Sequence, residues 1–443
     1  MAIIPQKQLF GWKEIDQLGD LQRLLLVLDY LPDEGLMKKL ERERGRGRDD
    51  YPIRPVWNSI LAGIVYQHPS IESLRRELRR NAQLREVCGF DLCLGERAVP
   101  PAYVYSRFCR KLMAYIDEVN NIFTRLVDEI SILLPDFGRF LAMDSKAVES
   151  LARGKKRNKD GKTQEPDGRR DTDADFGRKD YHGRKEDGTL WQKVVSWFGY
   201  KLHLIVDAVY ELPVTFSVTK ASVNDIKEGH NLIDQLAEQQ PEVVDRCEAL
   251  VADRGYDDTK LVMKLWDNHR IKPVIDIRNM WRDGEETRLL SGRENIVYDY
   301  RGTVYCHCPK SNKRLEMAFG GLEKDRETLK YRCPALHYGL ECKGMEQCCA
   351  TGGVRIPLEE DRRIFTPLAR SSYKWTNCYK KRTAVERLNS RLDESYGFEK
   401  HFIRGLQKMK LRCALALMVM LAIAVGRIRE KQGINMRSLV KAA

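Results

Sequence analysis

Residues 139–148 read RFLAMDSKAV, a short apolar run with one carboxylate, Asp144, set into it. A run of that length and composition fits a buried β-strand. A charged side chain there loses its hydration and must be paired or metal-bound. Residues 248–258, EALVADRGYDD, repeat the arrangement: a buried strand ends in Asp253 and a Gly-containing turn. Both aspartates are expected at the C-terminal ends of their strands, where open α/β sheets bind ligands.

Outward from these strands, GYKLHLIVDAVYELPVTFSVT (199–219) alternates apolar and polar residues around a break near Glu211 and Pro213, which predicts a hairpin. Asn224 or Asp225 caps a helix through DIKEGHNLIDQLAEQ, TKLVMKLWDNH is another helix, and IKPVIDI another strand. Residues 137–277 therefore read as a mixed α/β sheet with flanking helices. A polar arm, 151–190, interrupts this unit and has almost no apolar residues. It is either a ribbon over a phosphate backbone or a solvated linker. Residues 278–370 form a second interruption, and strong helices return over 371–432.

The first 135 residues read as helical. A buried helix from Val56, a break at HPS, and IESLRRELRR capped by Ser70 have the order of a helix-turn-helix. Arg75, Arg76 and Arg79 flank its apolar stripe; they either contact DNA or form a solvated face on a helical bundle. One long helical period runs through 101–133. The chain has 443 residues, 77 Lys and Arg against 64 Asp and Glu, and a net charge of +13, a balance that favours a polyanionic partner. No signal peptide is visible, and the longest apolar run, Cys413 to Val425, is shorter than the ~18 residues of a membrane span. Reduced thiols in a cytosol are expected for the cysteines.

A third carboxylate, Glu386, lies within YKKRTAVERLNSRLD (379–393). At about 100° per residue, Val385, Leu388 and Leu392 form the core-facing stripe of a helix. Tyr379, Arg382, Glu386, Asn389 and Asp393 border that stripe, and Lys380, Arg387 and Arg391 face outward. Three carboxylates meeting at a sheet edge suit Mg²⁺, and two such ions clamp the attacking and leaving oxygens of a displacement at phosphorus. The alternative is two turn caps and one surface ion pair, Arg382 with Glu386.

FLAMDSKAV, GYKLHLIVDAVYELPVTFSVTKASVNDIKEG, ALVADRGYDD, and YKKRTAVERLNSRLDESYGF followed by RGLQKMKLRCALALMVMLA resemble the DDE transposases of bacterial insertion sequences. The resemblance runs from about Val56 to Arg429. It implies an RNase H-like catalytic domain in two parts, 137–277 and 371–432. It also implies a helical DNA-binding region over 1–135 and a β-rich insertion over 278–370. Asp144, Asp253 and Glu386 match the catalytic triad, which would hold two Mg²⁺ or Mn²⁺ ions. The implied reaction frees a 3′-OH at a terminal inverted repeat, and that 3′-OH then attacks target DNA. Tyr379 and Arg382 would orient the scissile phosphate, with Arg387 and Arg391 on the DNA backbone.

The family signature Tyr-x2-Arg-x3-Glu-x6-Lys is matched except at its last position, which is Asp393 here; Arg391 and Lys400 are the nearby cations that could replace the lysine. Lys201, His203 and Asp207 are weaker candidates, read as sheet surface or as a supporting acid. The implied partners are double-stranded DNA and further copies of the chain, as a homodimer or higher synaptic complex, in the bacterial cytosol and nucleoid with no membrane. A nuclease of the same fold that cuts without joining, and a non-catalytic DNA-binding descendant, are the alternatives; the presence of all three acids argues against the second. In the insertion, Cys306, Cys308, Cys333 and Cys342 are enough for one structural Zn²⁺, with free buried thiols as the other reading.

Overall fold

The computed structural model describes residues 19–45, 50–154, 171–184, 187, 189–308, 310–311, 313–348 and 352–438. The described chain opens with α1 (Gln22–Tyr30), α2 (Glu34–Arg44), α3 (Ile53–Val65), α4 (Ile71–Arg80), α5 (Ala82–Cys88), α6 (Ala102–Ala114) and α7 (Ile116–Leu133). Ser70 caps α4 as expected, its hydroxyl accepting the Ser73 amide at 3.2 Å. The single long helix expected over 101–133 is two helices. Tyr115 leaves the helical region at φ −108° and ψ 36°, although the apolar period continues on both sides.

The α/β unit contains β1 (Phe140–Glu149), β2 (Asp175–Arg184), β3 (Leu190–Asp207), β4 (Pro213–Lys220), α8 (Asp225–Gln239), α9 (Pro241–Arg246), β5 (Ala249–Ala252), α10 (Thr259–Met263) and β6 (Lys272–Ile275). The sheet order is β2-β3-β1-β5-β6, with β4 also paired to β3. β1 is antiparallel to β3 and parallel to β5, and β5 is parallel to β6. The predicted mixed sheet and its 199–219 hairpin are present, and Asn224 caps α8 through the Ile226 amide at 2.8 Å. The polar arm lies partly outside the described residues, at 155–170. Its second half is not a linker: β2 pairs along β3 from Asp175–Gly199 to Arg184–Leu190, making a two-stranded ribbon. Gly199 permits the departure of that ribbon, because a Cβ there would lie 2.2 Å from the Val148 carbonyl oxygen.

The second interruption holds β7 (Arg288–Leu289), β8 (Ile296–Tyr298), β9 (Val304–His307), β10 (Arg314–Glu316), β11 (Ala318–Glu323), β12 (Thr328–Arg332), α11 (Pro334–Tyr338) and β13 (Val354–Pro357). The strands form two small antiparallel sheets, β10-β9-β8-β7 and β11-β12-β13. They enclose their own apolar core, including Ile296, Val304, Tyr331, Ile356 and Phe365. The chain ends in α12 (Tyr373–Tyr379), α13 (Thr383–Tyr396) and α14 (Leu406–Arg429).

By length and composition α14 could cross a membrane, but 89% of its apolar window is buried inside the protein. It packs on α1, α4-adjacent α3 and α7 as well as β4, so the N-terminal helices and the sheet share one continuous core.

Candidate active site

Strand register creates the site. β5 pairs with β1 only as far as Met143–Ala252. β3 continues along β1 to Glu149. Asp144 is therefore mid-strand, not at a strand end as expected, yet it is the first β1 residue beyond the end of β5. Asp253 is the first residue after β5, so the two carboxylates come together where the parallel pairing stops. The Asp253 carboxylate accepts the Gly255 amide at 2.7 Å, which fixes the turn that follows.

Glu386 arrives on α13, whose Val385, Leu388 and Leu392 are buried as the helical wheel predicts. The helix is not continuous from Tyr379. α12 ends there, and a 3-10 turn, Lys380–Arg382, precedes α13. The turn brings Arg382 between two of the acids: its Nη2 donates to Glu386 Oε1 at 2.6 Å, and its Nη1 lies 3.6 Å from Asp144 Oδ2. Arg382 thus ties β1 to α13. Tyr379 stacks on Trp375 with ring centroids 4.7 Å apart and planes 10° from parallel. Trp375 in turn packs on Ala249, Val251 and Val274, anchoring α12 to β5 and β6.

Burial and the neighbouring Asp253 charge push the Asp144 carboxyl up to about 6, against the opposing pull of Lys179, the Ser145 amide and Arg382. A carboxylate held this high invites a stronger positive charge than the site supplies by itself. The donor set, carboxylate oxygen throughout, fits a hard divalent cation. As the side chains stand, no three acidic, His or Cys groups among the described residues are close enough to share one ion. Arg382 occupies the place between Asp144 and Glu386.

Other expected site residues are placed differently. Arg387 and Arg391 do not form a free outer face. Both reach Glu211 in the β3–β4 turn, where Arg437 also lies at 3.0 Å. A buried acceptor captures the cations that the helical wheel had turned toward solvent. Arg75 is likewise engaged, donating to the Pro100 carbonyl at 2.8 Å and to Glu72, while Arg76 and Arg79 are exposed. Asp207 is fully buried and accepts the amides of Gly138, Val209 and Tyr210, so it organises a turn. Lys201 pairs with Asp225 at 2.9 Å, and His203 meets the Thr219 hydroxyl at 2.9 Å, both inside the sheet.

The four cysteines do not gather into a zinc site among the described residues. Cys308 and Cys342 approach to 3.9 Å between sulfurs, and Cys306, on the apolar core of the insertion, has Cys333, Cys342 and Cys348 as neighbours that add to burial in raising its thiol. Ser311 hydrogen bonds draw the Cys308 thiol down to about 6. Of the two other thiols of the insertion, Cys348 accepts from Asn295 Nδ2 at 3.3 Å and Cys349 lies outside the described residues.

Two lysines near Asp144 escaped the sequence reading. Lys146, two residues along β1, lies 2.5 Å from Asp393 and 3.5 Å from Glu399. The period-2 alternation of a strand could have flagged it, since residues i and i+2 share a face. Lys179 comes from the ribbon, and its Nζ donates to the Ser145 carbonyl at 3.2 Å. Nothing local in a polar insertion signals that contact.

The chain's likeness to known proteins bears on this geometry. A family model described as "Transposase DDE domain" matches residues 138–422. No curated protein matches. Among solved structures, a piggyBac transposase synaptic complex with hairpin DNA aligns at a TM-score of 0.33 and 10% identity, covering 96% of this chain and 86% of that one. The family match runs from two residues before β1 through most of α14 and takes in all three acids, and the chain belongs to the transposase DDE domain family.

Proposed function

We propose that this protein is the transposase of an insertion sequence, cutting DNA at terminal inverted repeats and joining the freed 3′-OH to target DNA. The observation that carries the reading is that Asp144 and Asp253 come together where β5 stops beside β1, with Arg382 linking Asp144 to Glu386 on α13. Membership of the family supports phosphoryl transfer on DNA as the reaction. The three carboxylates would hold two Mg²⁺ or Mn²⁺ ions, which supply charge stabilisation to the attacking and leaving oxygens. Arg382, released from the acids, turns its planar fork toward a phosphate, a geometry guanidinium suits. Tyr379, stiffened by Trp375, borders the same space. Arg76 and Arg79 remain candidates for backbone contacts along α4, with double-stranded DNA and further copies of the chain as partners.

The test is a strand-transfer assay on labelled duplex carrying the inverted repeats that flank the gene, with Mg²⁺. Cleavage with joining supports the transposase reading, and cleavage without joining supports a nuclease. If Asp253→Ala cleaves at the wild-type rate, the triad assignment is wrong.

A further inference from the structure

The cations around Asp144 divide into two kinds. Lys146 is neutralised by Asp393 and Glu399, Arg382 by Glu386 and Asp144, and Arg254 by Asp276 at 3.0 Å. Lys179 is different. Among the described residues its ammonium has a neutral carbonyl as hydrogen-bond partner, and no carboxylate forms an ion pair with it. That carbonyl belongs to Ser145, the residue after Asp144. An ammonium offers three donors, so one bond to a carbonyl leaves others for an anion.

The scaffold explains why Lys179 can be there. The first half of β3 leaves the sheet as a ribbon with β2, and its residues from Leu190 to Ser196 are exposed. The ribbon nonetheless turns Lys179 back to β1, which leaves it as a wall beside the site. It rises on the β3 side of β1, whereas Asp253 lies on the β5 side.

We infer that Lys179 is a substrate-binding residue that grips a phosphodiester of the DNA strand running past Asp144, making the β2–β3 ribbon one wall of the strand's channel. This rests on the DNA-cutting reading of the site. It also accounts for Asp393: with Lys146 neutralised by that acid, Lys179 supplies the positive charge beside Asp144 that no ion pair holds among the described residues.

Variants Lys179→Gln and Lys179→Arg test it. A labelled double-stranded oligonucleotide is titrated with the protein across a salt series, and Mg²⁺-dependent cleavage of inverted-repeat duplex is followed in parallel. The expected result for Lys179→Gln is weaker binding and a log Kd against log salt slope reduced by about 0.9, the value of one lost phosphate contact. Cleavage falls with it, the melting temperature is unchanged, and Lys179→Arg recovers both. An unchanged salt slope in Lys179→Gln overturns the inference. So does a loss of activity that tracks a lower melting temperature and is not rescued by arginine. Asp144→Asn separates the two claims. It should abolish cleavage and leave the slope intact; if it cleaves normally, the reading of the site fails, and Lys179 still stands or falls on its slope.

Discussion

The catalytic sheet and the cysteine-bearing insertion are built on opposite principles. The sheet shares one apolar core with the N-terminal helices and α14, whose residues from Cys413 to Val425 are all buried. The insertion has short strands and a separate small core. Trp266 and Ile277 from the sheet unit enter that core, and buried polar contacts add to the joint. Arg370, buried, donates to the carbonyls of Ile275, Ile364 and Arg363. Burial lowers its guanidinium to about 10. Arg363 grips Asp257, next to the Asp253 turn, through Nε at 3.0 Å and Nη2 at 2.7 Å. Apolar burial holds the reaction frame, and directional cation contacts add to a smaller apolar joint where the accessory module meets it. The first is tolerant of geometry, and the second fails when one donor is lost.

The largest effect expected belongs to the frame. On the proposed function, Asp144→Ala, Asp253→Ala or Glu386→Gln should each lower strand cleavage by about 10³-fold, with circular dichroism unchanged, because each group would act on charge in the transition state. The insertion is broken differently. Arg370→Met leaves three buried carbonyls without a donor and should cost about 2–4 kcal/mol in urea unfolding. Limited proteolysis should then cut within 278–370 before the sheet; simultaneous loss of both regions would show that they unfold as one.

A smaller effect has the opposite sign. Asp144, raised to about 6 in the folded state, carries a proton there at pH values where the unfolded chain has lost it. Stability therefore falls as pH rises from about 4 to about 6 and stays lower above. Asp144→Asn should stabilise the metal-free protein by about 1–3 kcal/mol at pH 8 and by little at pH 4, read from melting curves. Added Mg²⁺ should stabilise the wild type and not the variant.

The smallest effect sharpens the contrast between arginines. Arg387→Gln removes one link from α13 to Glu211 and should cost about 1 kcal/mol while leaving the salt dependence of DNA binding unchanged. Arg76→Gln with Arg79→Gln should do the reverse.

Much of the frame was legible because it is local. Apolar runs broken by Asp144 and Asp253, the alternation through 199–219, and the stripe of Val385, Leu388 and Leu392 each report burial by period alone. Partnerships were not legible. The helical wheel turned Arg387 and Arg391 outward, yet Arg391 is largely buried, because the wheel could not see Glu211 waiting in a turn about 180 residues away in sequence. Cysteine spacing likewise could not tell that Cys306 would enter an apolar core.

The sequence by itself determined the mixed α/β character of the frame and the helix that carries Glu386, and it singled out three acids as candidates, since composition and period act over a few residues. Tertiary structure decided where β5 stops beside β1, which cations are neutralised, and that a polar arm returns Lys179 to Asp144. Those depend on strand register and on contacts between segments far apart in the chain, and side-chain charge is set by whichever partner the fold brings within reach.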